Sequence, residues 1–287
     1  MTNLLRSLLK RILSLIATLF IITALLYATV MLTPAETRAT LFMPKNVSAH
    51  QTEEQYQHML ELIIEQNHLN DSYPVQYYYW LTNLVRGNWG YSPTLHEDVL
   101  AGIIRRTPAT AELTLYSILV FIPLGLISGL LAGFRKNKPS DHAFRFSAYA
   151  VTTLPPFILA LLLMAIFYVG LHWFSPERMS SAVSYLGNSE GFRQYSGFLT
   201  IDGLLNGRWD VTWDALRHLA MPVFTLAIAH WATLGRVTRA ATVEEMNQDY
   251  VLAARARGLS EGRILFHHTL GNVISPAFTS SVLSTAA

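Results

Sequence analysis

Cysteine is absent from the 287 residues. No disulfide, thiolate nucleophile or cysteine metal cage is therefore available. Charge is also scarce: 14% of residues are Asp, Glu, Lys or Arg, where soluble domains carry about a quarter. The formal balance of +2 is too small to suggest a nucleic-acid partner. No G-x-x-x-x-G-K-[ST] run is present, so this chain is expected to hold no nucleotide in a P-loop, and no H-E-x-x-H is present to hold zinc. His267 and His268 are adjacent and would point about 100° apart on a helix. That suits a metal poorly, so they read as surface or interfacial residues. Asn46-Val47-Ser48 matches a glycosylation acceptor, a three-residue pattern often met by chance. No catalytic, cofactor or metal site is expected, and the chain is not read as an enzyme.

What is plentiful is apolar sequence, at 51% of residues. A helix needs roughly 20 mainly apolar residues to cross a bilayer. Four segments qualify: Ile12–Met31, Leu113–Ala132, Ala148–Leu171 and, more weakly, Leu216–Leu234. A fifth begins near Val273 and is only partly present by Ala287. The first follows Arg6, Lys10 and Arg11, as a signal peptide would, but its apolar run exceeds the ~7–15 residues of a signal core. A retained anchor is expected. The fold class expected is an all-α polytopic membrane protein with four full spans and an incomplete fifth.

Lys and Arg near span ends favour the cytoplasmic side. Basic clusters precede span one, separate spans two and three (Arg135, Lys136, Lys138, Arg145, against Asp141 alone), and follow span four (Arg236, Arg239, Arg255, Arg257, Arg263). All three fall on one side if every span crosses, so the N-terminus is expected to be cytoplasmic. The stretch Pro34–Pro108, richer in acids than bases, falls outside. It is too long for a plain loop. Tyr56, Met59, Leu60, Ile63 and Ile64 give Glu53–Asn67 helical spacing, and a second helix is expected after Pro74. Tyr77, Tyr78, Tyr79 and Trp80 fit either a membrane-surface belt or packing within this region, packing being slightly favoured.

Ionisable residues deep in a membrane usually mark a proton or ion path. Spans one to three carry none, and Glu112 sits only at a boundary. That counts against a proton-driven transporter. His218 and His230 in span four have no acidic partner evident in the sequence, and read as helix-packing contacts.

The stretch Tyr250–Pro276, "YVLAARARGLSEGRILFHHTLGNVISP", sets small residues, arginines and a glycine between apolar segments. Asp249 is placed to cap a short helix Tyr250–Arg257, Arg255 and Arg257 would fall in its last turn, and Gly258 suits the left-handed residue that ends it. Ser260 can cap the next helix, with Glu261 in its first turn. A partner could approach closely over Ala253, Ala254, Ala256 and Gly258. An amphipathic helix resting on anionic headgroups explains the arginines equally well, and the residues alone leave both readings open.

Ala254-Arg255-Ala256-Arg257-Gly258-Leu259, preceded by Asn247-Gln248-Asp249-Tyr250-Val251 and by Glu244, resembles the cytoplasmic "EAA" loop of binding-protein-dependent ABC importer permeases, in particular the dipeptide/oligopeptide/nickel family. Leu69–Ser92, Thr107–Leu115 and Ala215–Ala229 agree in the same order. Leu252 stands before Ala253-Ala254, where the general pattern has Glu. The family continues through two further spans after Pro276, so the C-terminal part is expected to be missing here. The resemblance implies a type I ABC importer transmembrane domain in the bacterial inner membrane: residues 1–31 a cytoplasmic start and first span, 32–110 an extracytoplasmic helical region, and 111–287 the core permease domain, with a coupling loop near 240–268.

By the same resemblance, the partners are a second homologous permease subunit, two cytoplasmic ATPase subunits that bind ATP and Mg, an extracytoplasmic substrate-binding protein, and membrane lipid. Glu244, Asp249, Ala253, Ala254, Arg255, Ala256, Arg257, Gly258 and Leu259 would couple to the ATPases. The alternatives are a secondary transporter or channel, or a non-transporting truncated scaffold.

Overall fold

A computed structural model describes residues 2–42, 53–92, 94–187 and 191–286; the Asn46-Val47-Ser48 tripeptide lies outside them. The chain divides into two compact units, Met1–Arg106 and Thr107–Ala287.

The first unit begins with α1 (Thr2–Val30). Its stretch Leu5–Val30 is long and apolar enough to cross a membrane, and its Leu, Ile and Phe side chains are exposed around the helix. A helix can present such a surface where lipid replaces water, because its backbone bonds are satisfied internally. Pro34 then turns the chain into α2 (Ala35–Ala39) and a tighter turn at Thr40–Phe42. α3 (Glu53–Gln66) buries Leu60 and Ile63 against Ala39 and Leu69, with Tyr56, Met59 and Ile64 packed alongside. That is the face its spacing predicts. α4 (Tyr73–Val85) starts one residue before Pro74, which sits in the first turn where its missing N–H costs nothing.

Tyr77, Tyr78, Tyr79 and Trp80 of α4 differ in how far they are buried. Tyr77 is buried; its hydroxyl lies 2.8 Å from that of Thr23, and its ring meets Phe20 edge-on at 5.4 Å. Tyr78 is 65% exposed. A two-residue hairpin, β1 (Tyr91–Ser92) with β2 (Glu97–Asp98), follows.

α5 (Val99–Phe134) contains the second expected span and, among the described residues, is the other single helix with the length and apolarity to cross. The third expected span, Ala148–Leu171, is not one straight helix. α6 (Pro139–Thr153) and α7 (Pro156–Leu163, continued in wider π turns to Gly170) meet at 96°. Leu154 between them is extended, with φ −97° and ψ 121°. A residue before proline is pushed out of the helical region, and proline has no N–H to continue the ladder. Pro155-Pro156 therefore breaks the run that hydropathy alone reads as continuous.

The second unit also holds α8 (Ser181–Gly187), α9 (Leu199–Leu205) and α10 (Trp209–Glu245). α10 contains the fourth expected span. It has the length to cross but, unlike α1 and α5, not the apolarity; His218, Pro222 and His230 dilute it. The acidic neighbour missing from the sequence reading is Asp214, one turn earlier: His218 Nδ1 lies 2.7 Å from the Asp214 carbonyl and 3.6 Å from its carboxylate.

α5 and α10 approach through small residues. A Cβ at Gly129 would lie 2.5 Å from the Gly235 carbonyl oxygen and 2.7 Å from Thr238 Cβ. One at Gly125 would meet Leu234, and one at Gly133 would meet Thr242 and the Arg239 carbonyl. Such spacing lets membrane helices pack backbone to backbone. The buried threonines of α10 satisfy themselves within the helix: Thr238 donates to the Leu234 carbonyl and Thr242 to that of Thr238.

Glu112, placed by sequence at a span boundary, is a buried anchor. It accepts bonds from the Thr200 amide and hydroxyl at 2.8 and 2.7 Å and from Arg178 at 2.8 Å. The connection between α7 and α10 is thereby fastened to α5. Asp202, fully buried, accepts from the Ser196 and Gly197 amides and folds the same connection onto itself.

Gly129→Val is expected to destabilise the second unit by about 2–3 kcal/mol through forced separation of α5 and α10. Gly271→Ala, where an added Cβ meets nothing within 4 Å, should leave stability unchanged. Thermal unfolding of the purified variants in detergent measures both. Equal midpoints for the two would refute the close-packing account.

Candidate coupling site

α10 ends at Glu245, and the chain turns back through Met246–Gln248 into α11 (Asp249–Ala256). Gln248, in extended conformation, occupies the cap position, so Asp249 is the first helical residue and not the cap expected of it. Its charge still lies in the first turn, where a carboxylate opposes the helix dipole favourably. The helix closes one residue earlier than expected, making Arg257 the C-terminal cap. Gly258 follows with φ +76°, in the left-handed region that ends helices. Ser260 precedes α12 (Glu261–Arg263), but its side chain makes no capping bond. The backbone continues through wider π turns at Ile264–Thr269 into α13 (Leu270–Ala286).

The underside of this helix–glycine–helix segment is apolar. Val251, Ala254 and Ile264 are buried together, with Met246 and Leu259 against them. A neighbouring cluster joins Leu265 and Val273 to Leu130 of α5. Polar contacts add to this: the Tyr250 hydroxyl donates to Glu245 at 2.5 Å, and the Asn272 amide donates to the same carboxylate at 3.1 Å.

The residues singled out from sequence fall into two groups. Ala253, Arg255, Ala256, Arg257 and Gly258 are exposed, with Leu252 beside them at 56%; Glu244 and Asp249 are exposed at the approach. Ala254 is turned inward and Leu259 is half-buried. Ala254 therefore belongs to the support of the segment and not to the surface where a partner was expected to approach.

Arg255 bridges the glycine. Its Nε and Nη2 donate to the two Glu261 oxygens at 2.8 and 3.1 Å. The Arg255 guanidinium holds the Glu261 carboxyl below its usual range, so the pair persists at neutral pH and is given up only as pH falls below the ordinary carboxylate range. Exposed pairs of this kind contribute little stability, at most about 1 kcal/mol. The effect here is on geometry, holding the two arms of the segment at one angle.

A second pairing ties the C-terminal part of α10 to the first turn of α6. Arg239 donates from Nε and Nη2 to the two carboxylate oxygens of Asp141, at 2.5 and 2.7 Å, across 98 residues of sequence. Asp141 is fully buried and also accepts from the Asn137 amide at 2.9 Å. Its significance escaped the sequence reading, although it is the lone acid in a basic loop. Among the described residues, no group of three or more His, Asp or Glu is arranged to hold a metal.

Long apolar helices joined to a small, cation-bearing helical elbow define a polytopic α-helical membrane protein. Residues 122–287 match the family described as binding-protein-dependent transport system inner membrane component, and the chain belongs to that family. It is 35% identical over 204 residues to the di/tripeptide transport system permease protein of Pseudomonas aeruginosa, covering 71% of this chain and 59% of that one. It is 31% identical over 220 residues to the oligopeptide transport system permease protein of Bacillus subtilis, covering 76% and 62%. It is 26% identical over 270 residues to the glutathione transport system permease protein of Escherichia coli O1:K1, covering 94% and 74%. The aligned part thus spans less than two thirds of the first two relatives.

Asp141→Ala should destabilise the second unit by roughly 2–4 kcal/mol, because it leaves a mostly buried guanidinium without its counter-charge. Replacing both partners, Asp141→Leu with Arg239→Met, should cost less than the single change. Thermal unfolding of the three proteins decides; a double variant weaker than Asp141→Ala would overturn the reading.

Proposed function

We propose that this chain is a passage-forming subunit of an ATP-driven importer of peptides, and that residues 249–259 receive the work of separate ATPase subunits. The observation that carries this is the construction of the elbow. Its outer surface offers small residues and two arginines, while Val251, Ala254 and Ile264 on its inner surface pack against Met246 at the end of α10, and Asn272 of α13 bonds to Tyr250 and Glu245. A push on the outer surface is thus delivered to long helices of the unit. Cationic side chains at a helix end are suited to charge-assisted contacts with carboxylates of a docking groove.

The substrate class rests on the relatives, whose names specify di/tripeptides, oligopeptides and glutathione. The remaining parts of the machine are a second permease subunit, two ATPase subunits carrying ATP and Mg, and an extracytoplasmic binding protein that delivers the peptide. The shortage of charge within the apolar segments fits a passage driven by ATP better than one driven by a proton gradient.

Two measurements test the reading. In vesicles containing the whole assembly, Gly258→Val should lower ATP-dependent uptake of a labelled tripeptide at least tenfold while the chain remains in the membrane, because a β-branched residue resists φ +76°. Uptake at the unaltered rate would defeat the proposal. Since the chain has no cysteine, Arg257→Cys introduces a single reactive site. A bifunctional thiol reagent should link it to an ATPase subunit, with a yield that changes when ATP is added; labelling by an impermeant reagent from the outer face would show the elbow on the wrong side.

A further inference from the structure

The first unit contains a cavity of about 470 Å³ for which the coupling mechanism has no use. One wall is the last two turns of the apolar run of α1, contributing Leu26, Tyr27 and Val30. The lining also includes the polar side chains of Arg38 and Gln76. Trp80 and Trp89 are among the rings that line it.

Arg38 is the unusual group. Only 8% of it is exposed. Its Nε donates to the Thr33 carbonyl at 3.0 Å, Nη1 to the Gln76 side-chain oxygen at 2.6 Å, and Nη2 to the Leu69 carbonyl at 2.8 Å. Gln76 is itself fixed, donating to the Leu69 and Asp71 carbonyls. All three acceptors of Arg38 are neutral, and among the described residues no carboxylate pairs with it. The guanidinium is therefore desolvated and rigidly aimed, yet its charge is not balanced. A buried cation in that state is costly unless an anion joins it, and a guanidinium has five donors, of which these bonds use three.

We infer that this cavity holds one phospholipid of the leaflet opposite the basic N-terminus, its phosphate on Arg38 and part of an acyl chain along Leu26 and Val30. Depth selects this occupant. The apolar wall lies inside the membrane-crossing run of α1, and the cation lies just past its end, so the site spans the hydrocarbon–headgroup boundary as a lipid does. Aromatic side chains are at home at that boundary. Free phosphate or the carboxylate of a soluble peptide would offer Arg38 similar anionic oxygens, but neither has a use for the apolar wall. Bound lipid would brace α1 against α4 across the Thr23–Tyr77 contact.

The test uses the full-length chain in its assembly, purified in a non-ionic detergent and washed until bulk lipid is gone. Native mass spectrometry should find one phospholipid equivalent retained per copy. Arg38→Gln removes the cation, while Asn83→Trp blocks the cavity from an exposed position and leaves the bonds of Arg38 in place. Each should lower retention at least tenfold, and phosphatidylglycerol added back should refill only the unaltered protein. Absence of retained lipid in the unaltered protein, or retention in both variants equal to that of the unaltered protein, overturns the inference. So does displacement of the lipid by inorganic phosphate alone or by a soluble tripeptide, which would reassign the site to those anions.

Discussion

The backbone contact between α5 and α10 governs the second unit. Gly125, Gly129 and Gly133 stand at intervals of four, and each lies where a side chain would collide with α10. In a membrane, association gains little from removing apolar surface from solvent, because lipid is as apolar as leucine, so close contact and dispersion carry it. Once α10 is seated in this way, its end at Glu245 is fixed, and so is the point from which the elbow springs. Phe121, Ala227 and Leu234 fill the same seam with ordinary apolar packing, together with Ala277 of α13.

Two carboxylates fasten other parts of the unit to these long helices, Asp141 of α6 to α10 and Glu112 of α5 to the connection before α10. Asp141 takes both arms of the Arg239 guanidinium. Glu112 takes Thr200 and Arg178. Each is buried and has its oxygens occupied, which makes it a register pin whose removal strands a donor.

Much of this was legible in sequence because the signals were local. The helical stripe of α3, the left-handed Gly258, and the order of long apolar segments each depend on residues within a few turns of one another. What was missed depended on partners far away or on stereochemistry that hydropathy ignores. Asp141 reads as one acid among bases until Arg239, 98 positions later, closes on it. Ala254 reads like Ala253 and Ala256, because three alanines in one short helix give no hint which faces inward; the burial of Val251 and Ile264 decides it. Pro155-Pro156 lies inside an apolar run of sufficient length, and only the geometry of proline shows that the run must bend. The glycine spacing of α5 stood in plain view within the second apolar segment, unread because counting greasy residues gives glycine no weight.

The π turns at Ile264–Thr269 link the elbow to α13 by residue count as well as by contact. Such a widening is commonly equivalent to one residue inserted into an ordinary helix, and one residue corresponds to about 100° of rotation. The elbow and α13 thus keep a fixed phase only while that insertion is retained. Shortening the segment by a single position would swing the alanine- and arginine-bearing surface a quarter-turn or more away from its present bearing, with every side chain of the elbow still intact.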